Sequence, residues 1–158
     1  VLNELFPVHP NEARTLYFYF WSRWVQDARP FEGIPELLAE LQRIGLAIGM
    51  VTSRNGKDTS ALLNASCIWH YMDDVVTWGH YRAAKPSPNC IFVALERMRK
   101  EAHRAAYLGD QPIDMMAAKR AGVLAIGTSW GSGNEVELTQ AGADTVISAP
   151  GELLEIIT

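Results

Sequence analysis

Five short apolar runs recur along the chain, separated by segments with helix start and stop signals, and this alternation restricts the fold more than any other feature. The runs are Leu46–Thr52, Asp74–Trp78, Ala105–Gly109, Val123–Gly127 and Asp144–Ile147, each with turn residues close by. Such runs suit strands buried on both faces. Between them, Pro35 opens Glu36–Ile44, which stops at Gly45, and Pro112–Ala121 stops at Gly122. Ser87 reads as an N-cap with Pro88 at the first helical position, before Asn89–Glu101. Asn134 with Glu137 resembles a capping box ahead of a helix ending at Gly142. Strands and helices alternating at this spacing predict an α/β fold with a three-layer parallel sheet.

Chemistry concentrates where the apolar runs end. In Tyr107–Gly122 a strand ends at Gly109-Asp110, and a second acid, Asp114, falls in the first turn of the next helix. In open α/β sheets the carboxyl edge of the strands is where ligands bind. Two carboxylates there suit a hard cation such as Mg²⁺, although a carboxylate at Asp114 is also favoured by the helix dipole alone. Thr52-Ser53-Arg54 brings hydroxyls, backbone N–H groups and a guanidinium to the end of another run, the makings of a phosphate cradle. An ordinary strand-to-helix turn with a hydroxyl cap has the same composition. Lys85, fixed between Ala84 and Pro86 in a loop before a helix, is either solvated or a point charge for phosphate.

The first thirty residues differ from the rest. Asn11–Gln26 carries Leu16, Tyr17, Phe18, Tyr19, Phe20, Trp21, Trp24 and Val25, so a helix here is apolar over most of its circumference and expects neighbours on several sides. A strand is the rival reading, since aromatic runs favour β structure.

Composition narrows the function classes. With 158 residues, 48% of them apolar and 20% charged, the chain is expected to fold as one soluble compact domain. A net charge of −4 gives no reason to expect nucleic acid or an anionic membrane as partner. The longest apolar runs are shorter than the ~20 residues of a membrane helix. Cys67 and Cys90 lie among apolar residues without zinc spacing, which predicts buried free thiols and a reducing, cytoplasmic setting. His70 and His80 flank Asp73-Asp74 but are ten residues apart with a strand between them, which is no metal spacing. Trp78 and Trp130 end runs near the same edge, and packing is their default role. No signal peptide is visible at the start, and the chain opens on Val1 rather than methionine, as expected of a processed, excised or incompletely recorded product.

Taken in this order, the motifs resemble the haloacid dehalogenase superfamily, most closely its small-cap phosphatases of the phosphoglycolate phosphatase type. The resemblance covers residues 30–157. Pro30–Leu46 resembles the return from cap to core, and Gly127–Gly131, Ala141–Asp144 and Pro150–Leu153 look like the closing strands and last helix. It implies a Rossmann-like core. It further implies that Thr52 hydrogen-bonds the phosphoryl group, that Lys85 stabilises phosphate and nucleophile charge, and that Asp110 and Asp114 hold Mg²⁺. Thr52, Lys85 and Asp110 are then the catalytic candidates, and Thr52, Ser53, Arg54 and Lys85 the substrate-binding ones, for a small phosphorylated metabolite.

The first motif of that family, an Asp-x-Asp on the central strand, has no match before residue 30; Asp27 stands alone there. Residues 1–29 are therefore expected to be a cap-helix remnant, and residues 30–158 a core lacking its first strand. The family's reaction passes through an aspartyl-phosphate, so the chain by itself is expected to be inactive. A lost central strand would leave two unpaired edges. A separate N-terminal segment could fill them, Thr15–Val25 could act as a surrogate strand, or the sheet could close up or pair with another copy. Two function classes remain: the core of a Mg²⁺-dependent phosphomonoester hydrolase, or a non-catalytic relic or regulatory module that binds phosphate or Mg²⁺.

Overall fold

The computed structural model describes residues 20, 21 and 23–157. Its elements run α1 (Ile34–Arg43), β1 (Gly49–Asn55), α2 (Gly56–Ala65), β2 (Asp74–Trp78), α3 (Asn89–Met98), β3 (Ala106–Gly109), α4 (Pro112–Ala121), β4 (Leu124–Thr128), α5 (Glu135–Gln140), β5 (Thr145–Ile147) and α6 (Glu152–Ile157). Every ladder is parallel: β1 with β2, β3 with β4, and β4 with β5. The α/β architecture expected from the alternation is therefore present.

Successive residues of β4 show why the runs are continuously apolar. Ala125 belongs to a cluster with Met115, Ala117 and Ala118 of α4 and Leu138 of α5. Its neighbour Ile126 belongs to another, with Leu37 and Leu41 of α1 and Leu153 of α6. Side chains alternate across a strand, so a sheet covered by helices on both faces needs apolar residues at every position.

The sheet is in two pieces. Among the described residues, β1 pairs only with β2, and β3, β4 and β5 form a separate ladder. One core nonetheless runs beneath both, because Val76 of β2 and Cys90, Ile91 and Ala94 of α3 share a cluster with Met115 and Ala125. Among the described residues the sheet has thus not closed up, and β1 and β3 each keep an edge unpaired by any described strand. Phe20, Trp21, Arg23 and Trp24 are helical and lead into a 3-10 turn at Val25–Asp27, so that part of the aromatic run is no surrogate strand. Residues 1–19 of the predicted cap remnant, including the start of the Asn11–Gln26 segment and of the Thr15–Val25 run, lie outside the described residues.

Several boundaries move for local reasons. The first strand starts at Gly49 rather than Leu46, because Leu46 N–H donates to the Leu41 carbonyl and closes α1. Helix α3 ends at Met98 rather than Glu101, where Arg99 turns left-handed (φ 53°) and Lys100 N–H returns to the Leu95 carbonyl. Pro88, not Ser87, holds the N-cap position of α3, although the Ser87 hydroxyl accepts from Asn89 N–H at 3.4 Å. Cys90 is buried as expected, but Cys67 is exposed: it sits in a left-handed turn (φ 56°) after α2 rather than inside an element.

Candidate active site

One cluster of side chains fixes how the two half-sheets are aligned. Lys85, in the loop between β2 and α3, places Nζ 2.5 Å from Asp114 Oδ1 and 3.3 Å from the Tyr107 hydroxyl. Lys85 follows the carboxyl end of β2, and Asp114 follows the carboxyl end of β3, so these ends share an edge. Because β1 runs parallel to β2, Thr52, Ser53 and Arg54 come to that edge too. The predicted site residues are thus gathered on the side of the sheet where ligands bind.

Within the cluster the charges support one another. Burial works against the Lys85 ammonium, but the facing Tyr107 phenol and the Asp114 carboxylate outweigh it and hold its pKa above the ordinary lysine range. Burial, opposed by the Lys85 charge, pushes the Tyr107 phenol up to about 12. Burial likewise raises the Cys90 thiol nearby. Lys85 is therefore a permanent cation.

Asp114 starts α4, as the helix-dipole reading expected. It is 4% exposed, and its Oδ2 accepts from Gln111 N–H at 3.2 Å as half of a reciprocal capping box that starts α4. The other oxygen faces Lys85. The carboxyl group lies so close over β3 that a Cβ at Gly109 would stand 2.8 Å from Asp114 Cγ, which requires glycine there. Asp110 is held from the other side. Its Oδ2 accepts from both the backbone N–H and the hydroxyl of Ser132, each at 2.8 Å. A Cβ at Gly131 would overlap the Asp110 carboxyl group, and one at Gly133 its carbonyl.

Thr52 is half-buried, with its Oγ1 accepting from Arg54 N–H at 3.2 Å and its carbonyl accepting from the Tyr81 hydroxyl at 3.1 Å. Because Oγ1 already accepts, the hydroxyl proton is free to donate to an anion. Ser53 and Arg54 are exposed. The Arg54 guanidinium carbon stands 5.0 Å from the Trp21 ring centre and 5.8 Å from that of Trp24.

Two carboxylates stand where a hard divalent cation could be held. Asp110 Oδ1 accepts no hydrogen bond among the described residues, and Asp114 Oδ1 is engaged by the Lys85 ammonium. Mg²⁺ needs only one or two carboxylates alongside waters and substrate phosphate. Among the described residues no group of three or more His, Cys, Asp or Glu side chains gathers as for an all-protein metal cage. His70 lies against Tyr71 with ring centres 4.0 Å apart and the planes tilted by 40°, and His80 Nδ1 accepts from Thr77 N–H.

Tyr107, Ser132 and Tyr81 were not legible as site residues in the sequence. Tyr107 reads as one more apolar strand residue, and only the fold shows its hydroxyl at Lys85. Ser132 lies in a glycine-flanked turn, Gly131-Ser132-Gly133, whose composition signals close approach without saying to what. Trp78 is half-exposed and edge-on to Tyr81, while Trp130 packs on the Ile126 cluster.

Known proteins similar to this chain share its family pattern and its fold. The profile of the haloacid dehalogenase-like hydrolase family matches residues 7–128. A probable phosphatase, IndB, from Dickeya dadantii is 32% identical over 124 residues, covering 78% of this chain and 54% of that protein. A phosphoglycolate phosphatase from Vibrio cholerae is 27% identical over 155 residues, 98% of this chain and 69% of that protein. The chain thus spans between about half and two thirds of these relatives' lengths. Among solved structures, CbbY from Rhodobacter sphaeroides in complex with phosphate superposes with a TM-score of 0.77 at 25% identity, covering 92% of this chain and 67% of that one. A β-phosphoglucomutase from Clostridium difficile gives 0.77 at 21% identity, with 92% and 63% covered, a likeness of fold.

Proposed function

The chain belongs to the haloacid dehalogenase-like hydrolases, and on that premise we propose that it forms the phosphate- and Mg²⁺-binding core of a phosphatase acting on a small phosphomonoester. The observation that supports this most is the buried Lys85–Asp114–Tyr107 cluster, set on the same edge as Thr52 and Asp110. A permanent cation, a hydroxyl donor and two carboxylates are the groups needed to bind a phosphoryl group and a divalent counter-ion together.

Each residue has a distinct task in this reading. Thr52 donates its hydroxyl proton to a phosphoryl oxygen, helped by neighbouring backbone N–H groups. Lys85 places a fixed positive charge against the phosphoryl oxygens, and Tyr107 and Asp114 restrain its head. Asp110, oriented by Ser132, and Asp114 would hold Mg²⁺, which when bound neutralises phosphate charge. The relatives named as phosphoglycolate phosphatases support a small, carboxylate-bearing phosphomonoester as substrate.

The unpaired edges of β1 and β3 support a further element of the reading. A parallel strand seated there would bring its carboxyl end between Thr52 and Asp110, where an in-line carboxylate nucleophile belongs. The nucleophile is then supplied by a segment beyond residues 1–158, and the chain by itself binds phosphate without turning it over. Cap segment 1–29, core 30–158 and a cytoplasmic setting complete the reading, with a second copy as the alternative cover for the edges.

Calorimetric titration of Mg²⁺ and inorganic phosphate into the chain tests it. Wild type is expected to bind both, Asp110→Asn to lose Mg²⁺ affinity, and Thr52→Val to lose phosphate affinity. Equal affinities in all three proteins would contradict the assignment. Binding that survives while a strand-supplied form stays inactive would favour the regulatory module.

A further inference from the structure

Arg54 is bound to no carboxylate among the described residues: its backbone N–H donates to Thr52 Oγ1, and its side chain forms no ion pair or hydrogen bond with any described residue. Its guanidinium instead lies against two indoles, Trp21 and Trp24, which also contact each other with ring centres 5.3 Å apart. Such contact acts through charge and the ring faces, so it restrains a cation without using its N–H donors. Guanidinium is planar and matches a carboxylate with two parallel hydrogen bonds. Arg54 also stands two residues beyond Thr52 on the same strand, roughly 6–7 Å along it.

We infer that Arg54, restrained by Trp21 and Trp24, is a second anion site that selects phosphomonoesters carrying a carboxylate close to the phosphate. The inference rests on the phosphate site proposed above and adds the group that distinguishes one small ester from another. The indoles contribute in two ways. They reduce the rotamer freedom the long side chain must lose when it engages the carboxylate. They also lower water access around the pair, Trp21 being half-buried and Trp24 53% exposed.

The test compares 2-phosphoglycolate with ethyl phosphate, which lacks the carboxylate, by calorimetry in the presence of Mg²⁺. Wild type is expected to bind 2-phosphoglycolate about tenfold more tightly, a difference of roughly 1.4 kcal/mol. Arg54→Gln should bring the ratio of the two affinities to one, and Arg54→Lys, charged but without the planar fork, should keep only part of the preference. An unchanged ratio in Arg54→Gln would overturn the inference and leave Arg54 as a latch for the N-terminal segment. Equal binding of the two esters by wild type would overturn it as well, with the phosphate site intact. Failure of wild type to bind either ester or inorganic phosphate would overturn both the phosphate site and this inference.

Discussion

Replacing Lys85 by methionine removes a buried cation of similar length and leaves its partner in place. The side chains of Lys85 and Asp114 are 11% and 6% exposed, so the pair is shielded from solvent. Breaking such a pair by deleting one partner costs about 3–5 kcal/mol, because the remaining charge is stranded. Asp114 keeps its hydrogen bond from Gln111 N–H, which places the cost at the lower end, about 3 kcal/mol. For a chain of this size that corresponds to a fall in Tm of about 6–12 °C. The double variant Lys85→Met/Asp114→Asn removes the stranded charge with little change of shape and should recover most of the loss. The assay is urea denaturation of the three proteins near pH 7, with attention to equal m-values. A Lys85→Met protein as stable as wild type would show that the ion pair does not form in solution. So would a double variant no more stable than the single one.

Gly109→Ala is expected to cost about 1–3 kcal/mol in the same assay, since the new Cβ must displace the Asp114 carboxyl group from β3. Gly45→Ala is the matched control, with nothing within 4 Å and only the strain of its positive φ. Ser132→Ala removes the hydroxyl bond to Asp110 but not the backbone one, and should weaken Mg²⁺ binding less than Asp110→Asn does in calorimetry. Tyr107 keeps its proton up to about 12 when folded, above the ordinary value of 10.0. The folded state therefore binds more protons than the unfolded one in that window, so stability is full below about 10 and is lost as pH rises towards 12. Absorbance titration of the phenols should show a late-ionising tyrosine that Tyr107→Phe lacks.

Residues that act locally were readable in the sequence, and those that act across the fold were not. Pro112–Ala121 is helical to the residue because its proline start, Asp114 and Gly122 stop are all local signals. Asp74–Trp78 is a strand to the residue for the same reason. The strand reaching Asn55 was missed, since Ser53-Arg54-Asn55 is polar and only pairing with β2 makes it extended. Helix α2 went unread too: its N-cap, Asn55, whose Oδ1 accepts from Asp58 N–H, is the last residue of that strand. Thr52, Lys85, Asp110 and Asp114 were singled out from their places at or after strand ends together with the family resemblance, and the fold brings those strand ends to one edge. Tyr107 and Ser132 were not, because their roles depend on partners 22 residues away in each case. The divided sheet was anticipated from the missing motif, but that it would stay open depends on α3 and α4 sharing one core beneath both halves.

On the function proposed above, this chain carries the phosphate- and metal-binding half of a hydrolytic site and needs a strand-borne carboxylate to complete it. The direct measurement is turnover of a generic aryl phosphate with Mg²⁺. It compares the chain alone, the chain joined to an upstream segment bearing Asp-x-Asp, and that joined form with Asp110→Ala. No turnover is expected from the chain alone, turnover from the joined form, and its loss in Asp110→Ala. Robust turnover by the chain alone, abolished by Asp110→Ala, would contradict this and make a carboxylate already within residues 1–158, Asp27 first, the nucleophile.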